Sequence, residues 1–216
     1  QATYILIPMD EDHQNDHLKA YGVAFWTLEN SLSVDWLLNY RGGSFLIDFN
    51  SEIEKECIIR GVSFELLTNA YKNKLQIELA HPESNTDIVK LEKSPKVAVY
   101  SPEGNLPWDD AVTMVLTYAE IPYDVIYDDE ILSDMLPLYD WLHLHHEDFT
   151  GQYGKFYRSF KNAPWYIEQK RNFESEANRL GYKKVSKQKL DVALKIKEFL
   201  AGGGFLFAMC SATDSY

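Results

Sequence analysis

Short apolar runs alternate along this chain with segments whose apolar residues recur every three or four positions. Tyr4-Ile5-Leu6-Ile7 is a run of strand type stopped by Pro8. Asp10, Asp12 and Asn15 then supply helix-capping residue types, and Leu18, Tyr21, Phe25 and Leu28 fall at helical spacing. Residues 34–40 read as a second strand, ended by Arg41-Gly42-Gly43, and 45–49 as a further short strand or a loop. Residues 51–60 and 64–79 read as helices, the first opened by Ser51 and Glu54 at capping-box spacing.

A polar stretch over 81–96 interrupts this rhythm, which then resumes. Val97–Tyr100 is a strand broken by Ser101-Pro102-Glu103-Gly104. Residues 109–120 form a helix with Val112, Val115, Leu116 and Ala119 on one face. Strands follow at 123–127 and 139–145. Residues 155–179 are long and mixed, and Pro164 forbids a single helix there. Residues 187–200 form an amphipathic helix striped by Val192, Ile196, Phe199 and Leu200 and stopped by Gly202-Gly203. Gly204–Met209 is a buried-type strand that leads into Cys210. Strands alternating with helices imply parallel pairing and an α/β layered fold. The expectation is one main domain over residues 1–216, with a weak internal boundary near 81–96.

Composition narrows the functional classes. In 216 residues, 33 Asp and Glu outweigh 21 Lys and Arg, giving a net charge of −12. That balance argues against nucleic-acid binding and against docking on anionic membranes, both of which need a cationic face. No run of 18 apolar residues offers a membrane-spanning helix. Two cysteines, Cys57 and Cys210, exclude a disulfide framework and a multi-cysteine zinc site. The chain opens on Gln1 and enters a strand almost at once, which fits an exported protein with its signal peptide removed and equally a trimmed domain. It stops at Tyr216, six residues after a strand-like run, so the expectation is the N-terminal part of a longer chain.

In an open parallel sheet, ligands gather beyond the C-terminal ends of the strands. That rule ranks Cys210 and the run His143 to Asp148 first. A cysteine at a strand-to-helix turn is exposed by the bend, and the next helix start would lower its pKa and offer backbone N–H donors to an oxyanion. Ala208 and Ala212 are the small flanks such an elbow requires. The alternative is a free cysteine packed at a strand end. His143 and His145 would share one strand face, with His146, Glu147 and Asp148 turning onto the loop. Imidazoles and carboxylates so placed could bind a divalent ion such as zinc, with Asp10, His13, His17 or Glu103 as a distant ligand. They could equally serve as a general base or substrate contact, or be solvated.

Asp10 and its acidic neighbours sit at a helix start, where capping is their ordinary role. Arg41 could fork onto a carboxylate or phosphate, or simply belong to a glycine turn. Tyr153–Tyr157 and Trp165–Phe173 are aromatic stretches suited to core packing, to sugar stacking or to a partner interface. No dinucleotide fingerprint or phosphate-binding lysine loop occurs, so nucleotide cofactors have no support.

The segment Lys189 to Ala212, with its "FLAGGG" turn, buried strand and small-flanked Cys210, resembles the active-site turn of class I glutamine amidotransferase-like proteins and of their trehalose-utilisation (ThuA-like) branch. The run "YDWLHLHH" resembles the strand before the oxyanion loop of the same fold. The resemblance implies a flavodoxin-like α-β-α layering with a mainly parallel sheet. It implies Cys210 as nucleophile, with His and Glu partners later than Tyr216, whereas His145-His146-Glu147 stands where that family carries its oxyanion glycines.

The runs "ILIPMDEDHQNDHLKAYG", "WLLNYRGGSFL", "LHLHHEDFTGQYGKFY" and "GGGFLFAMCSATDS" resemble a group of longer, exported bacterial proteins labelled asparagine synthetase B. Gln1 is not the N-terminal cysteine of an asparagine synthetase, and no Ser-Gly-Gly-x-Asp loop is present. The expectation is therefore a periplasmic or secreted amidase-like domain. Its catalytic residues would be Cys210, His145, His146 and Glu147, with Arg41, Asp10 and Glu103 contacting a small amide or glycan substrate. The rival readings are a non-catalytic module that meets a protein or glycan, and a metal-dependent hydrolase built on the histidines.

Overall fold

The computed structural model describes residues 3–79, 81, 83–101, 111–144, 150 and 153–215, with the backbone alone at 211, 214 and 215. These residues group into two compact units. One comprises the chain up to Ser94 together with Val115–Ile121, and the other comprises Pro95–Met114 and the chain from Pro122 onward.

The first unit is built on a five-stranded sheet in the order β4-β1-β3-β2-β5, with β1 Tyr4–Ile7, β2 Val34–Leu38, β3 Phe45–Asp48, β4 Glu65–Leu67 and β5 Asp87–Leu91. Every pairing in it is antiparallel. This corrects the parallel pairing expected here. Strands β2 and β3 are joined by the tight turn at Arg41-Gly42-Gly43, which brings the next strand straight back without the crossover helix that parallel pairing needs. Alternation along β1 sends Ile5 and Ile7 to one face and Leu6 to the other. On the first face they meet Ala20, Val23 and Ala24 of α1 (His17–Glu29) and Ile53 and Cys57 of α2 (Ser51–Arg60). On the second face Leu6, Leu37 and Leu46 pack with Leu75 and Leu79 of α3 (Asn69–Leu79).

Local chemistry sets these boundaries. Helix α1 is capped by Asp16, whose side chain accepts from the Lys19 N–H, and α2 by Asn50, whose side chain accepts from the Glu52 N–H. The cap of α2 is thus one residue earlier than the Ser51–Glu54 spacing implies. Gly61, at φ 70°, closes α2 in the left-handed conformation that only glycine adopts without strain. The helix expected over 64–79 begins with strand β4, and the polar stretch at 81–96 holds edge strand β5.

The second unit carries the expected parallel sheet. Its order is β7-β6-β8-β9, with β6 Val97–Tyr100, β7 Tyr123–Ile126, β8 Trp141–Leu144 and β9 Phe205–Ala208, and all three pairings are parallel. Helix α4 (Ala111–Ala119) lies between β6 and β7 in sequence, and α5 (Asp128–Leu132) and a 3₁₀ turn at Leu136–Leu138 between β7 and β8. Pro164 divides the long mixed stretch. The short α6 (Tyr157–Phe160) precedes it, and α7 (Pro164–Arg179) begins on it, where a missing N–H costs nothing. Helix α8 (Val185–Ala201) lays Val192, Ile196 and Phe199 on the face of the sheet formed by Ala98, Tyr100, Leu142 and Leu144. Among the described residues the chain is therefore mixed α/β, with eight α-helices.

Candidate functional site

Parallel pairing lines up the strand ends. Tyr100 stands level with Ile126 and Leu144, and Leu144 with Ala208. Strand β6 comes first in sequence yet lies inside the sheet, so the chain steps to β7 on one side of it and then crosses to β8 on the other. That reversal is where an open α/β sheet forms a ligand crevice at its C-terminal edge. Ser101, Tyr127-Asp128, residues 145–149 and Met209-Cys210 follow the four strands. His145, His146, Glu147 and Glu103 lie outside the described residues.

Cys210 is exposed and begins a 3₁₀ segment, Cys210–Ser215, two residues after the end of β9. Its φ of 55° is in the left-handed region, rare for a residue with a side chain. The chain turns sharply there. Before the bend the Met209 N–H donates to the Leu144 carbonyl at 3.3 Å, and after it the Thr213 hydroxyl donates to the Cys210 carbonyl at 2.7 Å. Ala212 is fully buried in the core beneath. Cys57 is the opposite case. It is sealed in the first unit's core, and burial, with the nearby Glu56 charge second, pushes its thiol up to about 12.

His143 is packed inside the second unit, 5 % exposed, with its ring 5.3 Å from Phe207 and nearly parallel to it. Trp141 flanks it at 6.0 Å. This histidine is part of an aromatic layer on the sheet.

A polar cluster that sequence reasoning missed lies under the same edge. The Asp128 side chain is completely buried at the start of α5 and accepts from the Tyr100 hydroxyl at 2.8 Å and from the Gln188 amide at 2.8 Å. Lys189 donates to it as well, and also to the hydroxyls of Tyr127 at 3.1 Å and Tyr100 at 3.3 Å. The rings of Tyr127 and Phe173 lie 4.5 and 5.2 Å from the ammonium. Burial, then the neighbouring Tyr127 and Asp128, pushes the Tyr100 hydroxyl well above its usual range, so it remains a donor. The Gln188 side-chain oxygen is buried with no partner among the described residues. The partners are 28 to 89 residues apart in sequence. The one available signal was Lys189 on the apolar stripe of α8, four residues after Val185 and three before Val192.

In the first unit the structure brings Arg41 and Asp10 together. The guanidinium donates to Asp10 at 2.8 Å and to Glu65 at 2.9 Å. Its remaining terminal nitrogen is buried with no partner among the described residues. His13 bonds the other Asp10 oxygen. Burial alone would raise the Asp10 carboxyl, but the bonds from His13 and Arg41 outweigh it and hold the group below its usual range. Gly42 lies so close to the segment that follows β1 that an added Cβ would stand 2.2 Å from the Met9 carbonyl oxygen.

Two of the clefts formed by the described residues belong to the second unit. One, of about 380 Å³, is at the opposite, N-terminal edge of the parallel sheet, lined by Tyr139, Asp140, Lys195 and Gly204 among others. The other, of about 350 Å³, is at the start of α8 beside Lys183, Lys184 and Tyr153. Neither has Cys210 in its lining. Among the described residues no group of three or more His, Cys, Asp or Glu side chains is placed to hold a metal ion. No helix among them is long and apolar enough to cross a membrane. No protein-family model, no curated protein and no solved structure matches the chain.

Proposed function

We propose that the second unit is a flavodoxin-like, glutamine amidotransferase-like domain and that it hydrolyses a small amide through the Cys210 thiol, in an exported bacterial protein. The observation that carries this reading is the conformation of Cys210, exposed at φ 55° at the turn that follows the last parallel strand. Strained residues persist where the surrounding structure over-determines them and cluster at active sites, and a nucleophile on a strand-to-helix bend is a recurring instance. The strand order supports the fold half of the reading, since β7-β6-β8-β9 has the second, first, third, fourth pattern of flavodoxin-like sheets. In this scheme the thiolate attacks the amide carbonyl, ammonia leaves, and water cleaves the resulting thioester. His145 or His146 would move the proton, with Glu147 orienting the imidazole.

Alkylation by iodoacetamide across pH tests it. Cys57 is sealed, so the reaction reports Cys210, with Cys210→Ser as control. Fast single-site modification below pH 7, and ammonia release from a panel of small amides that Cys210→Ser abolishes, are the expected results. A thiol that reacts only as an ordinary cysteine does, above about pH 8, removes Cys210 as nucleophile.

A further inference from the structure

The helical hairpin α6–α7 carries a surface that the amidase reading does not use. Phe156, Phe160 and Trp165 form a compact knob, with ring centroids 6.3, 5.9 and 5.2 Å apart. Such a knob would ordinarily be buried. Here Phe160 is 44 % and Trp165 47 % exposed. Only the other side of α7, through Tyr166, Phe173 and Ala177, faces the interior.

Positive charge gathers on the first part of the same hairpin, before Glu174 and Glu176 of α7. Lys155, Arg158, Lys161, Lys170 and Arg171 stand against the single acid Glu168 between residues 155 and 171, in a chain whose net charge is −12. Among the described residues Arg158, Lys161 and Arg171 form no ion pair, and Lys170 reaches Glu174 only at 3.5 Å. The net charge of the chain is thus a poor guide to this patch, which is locally cationic and apolar.

We infer that the α6–α7 hairpin docks on an anionic lipid surface, with Phe160 and Trp165 entering the headgroup region and the cations lying along the phosphates. Aromatic side chains with Lys and Arg at their rim form the usual interfacial anchor. Ring geometry favours lipid over single-stranded nucleic acid. Bases need open, parallel ring faces, but Phe156 meets Phe160 at 74° and Trp165 at 73°. Phe160 and Trp165 are themselves tilted at 52°, so the three rings make a wedge with no open parallel faces.

Co-sedimentation of the 216-residue chain with two kinds of vesicle tests this. One is phosphatidylcholine alone, and the other is equal parts of phosphatidylcholine and phosphatidylglycerol. Binding to the mixed vesicles alone, weakening as salt rises, is expected. The charge reversals Arg158→Glu with Lys161→Glu should lower partitioning by roughly tenfold or more. The exposed pair Phe160→Ser with Trp165→Ser should abolish it, with circular dichroism unchanged. The inference is overturned by no binding to mixed vesicles at low salt, by equal binding to neutral ones, or by variants that still bind. It is also overturned if a single-stranded oligonucleotide displaces the chain from the vesicles.

Discussion

Lys189 is paired with Asp128 in the interior of the second unit, their side chains 5 % and 0 % exposed. The carboxylate joins the end of the β7 segment to α8, and the ammonium ties the hydroxyls of Tyr100 and Tyr127 into the same network. Removing one partner would leave the other charged and dry. Asp128→Ala is therefore expected to lower unfolding stability by about 3–5 kcal/mol, read from denaturant midpoints. Asp128→Asn combined with Lys189→Met should recover much of that loss. A small effect of the single change would mean that water reaches the pair.

Glu176 adds a pH dependence of known sign. Burial, then the Asp128 charge, raises its carboxyl from 4.5, and Lys189 and Arg179 pull it back only in part. The folded protein therefore holds this proton more tightly than the unfolded chain does. The stability it contributes is fully present below pH 4.5 and is lost as pH rises through the higher folded value. Glu176→Gln cannot ionise, so it should melt higher than the parent at neutral pH and lose that advantage in acid. Parallel melting curves at every pH would show that Glu176 does not titrate abnormally.

Two glycines with similar backbone angles should respond differently to alanine. At Gly42, φ is 77° and the new Cβ would strike the Met9 carbonyl, whereas at Gly181, φ is 84° and the space is open. Gly181→Ala pays only the left-handed penalty of about 1 kcal/mol. Gly42→Ala adds a collision with backbone that cannot swing aside, and a loss of at least about 2 kcal/mol is expected. Equal midpoint shifts would contradict the close approach of the Arg41 turn to Met9.

The strain at Cys210 has its own signature. Cys210→Gly relieves the left-handed backbone and should raise the melting temperature, while Cys210→Ala keeps the strain and should not. If both variants melt alike, φ at this position is relaxed in solution.

Most elements were legible because their periodicity is local. The amphipathic stripe of α8, the apolar runs of β1, β6 and β9, and the break at Pro164 all stand in the sequence. Pairing was less legible, because it depends on distant partners. A strand followed by a helix suggests a crossover, yet the double glycine after Arg41 makes β2 and β3 a hairpin and turns the first sheet antiparallel. Strand β5 was hidden because Ile88 and Val89 are exposed on an edge and need no apolar alternation. Cys210 could be picked out from its place after an apolar strand. The Asp128–Lys189 network could not, since its members come from three separate elements and only folding makes them neighbours.

Strand β1 pairs on both edges, with β3 and β4, and its two faces lie beneath α1 and α2 on one side and α3 on the other. Ile5, Leu6 and Ile7 are 0 % exposed. Their amide protons have no local fluctuation that would bring water to them, so they trade with deuterium only when the whole first unit opens. These few amides form a built-in gauge of that unit's opening equilibrium, readable without denaturant.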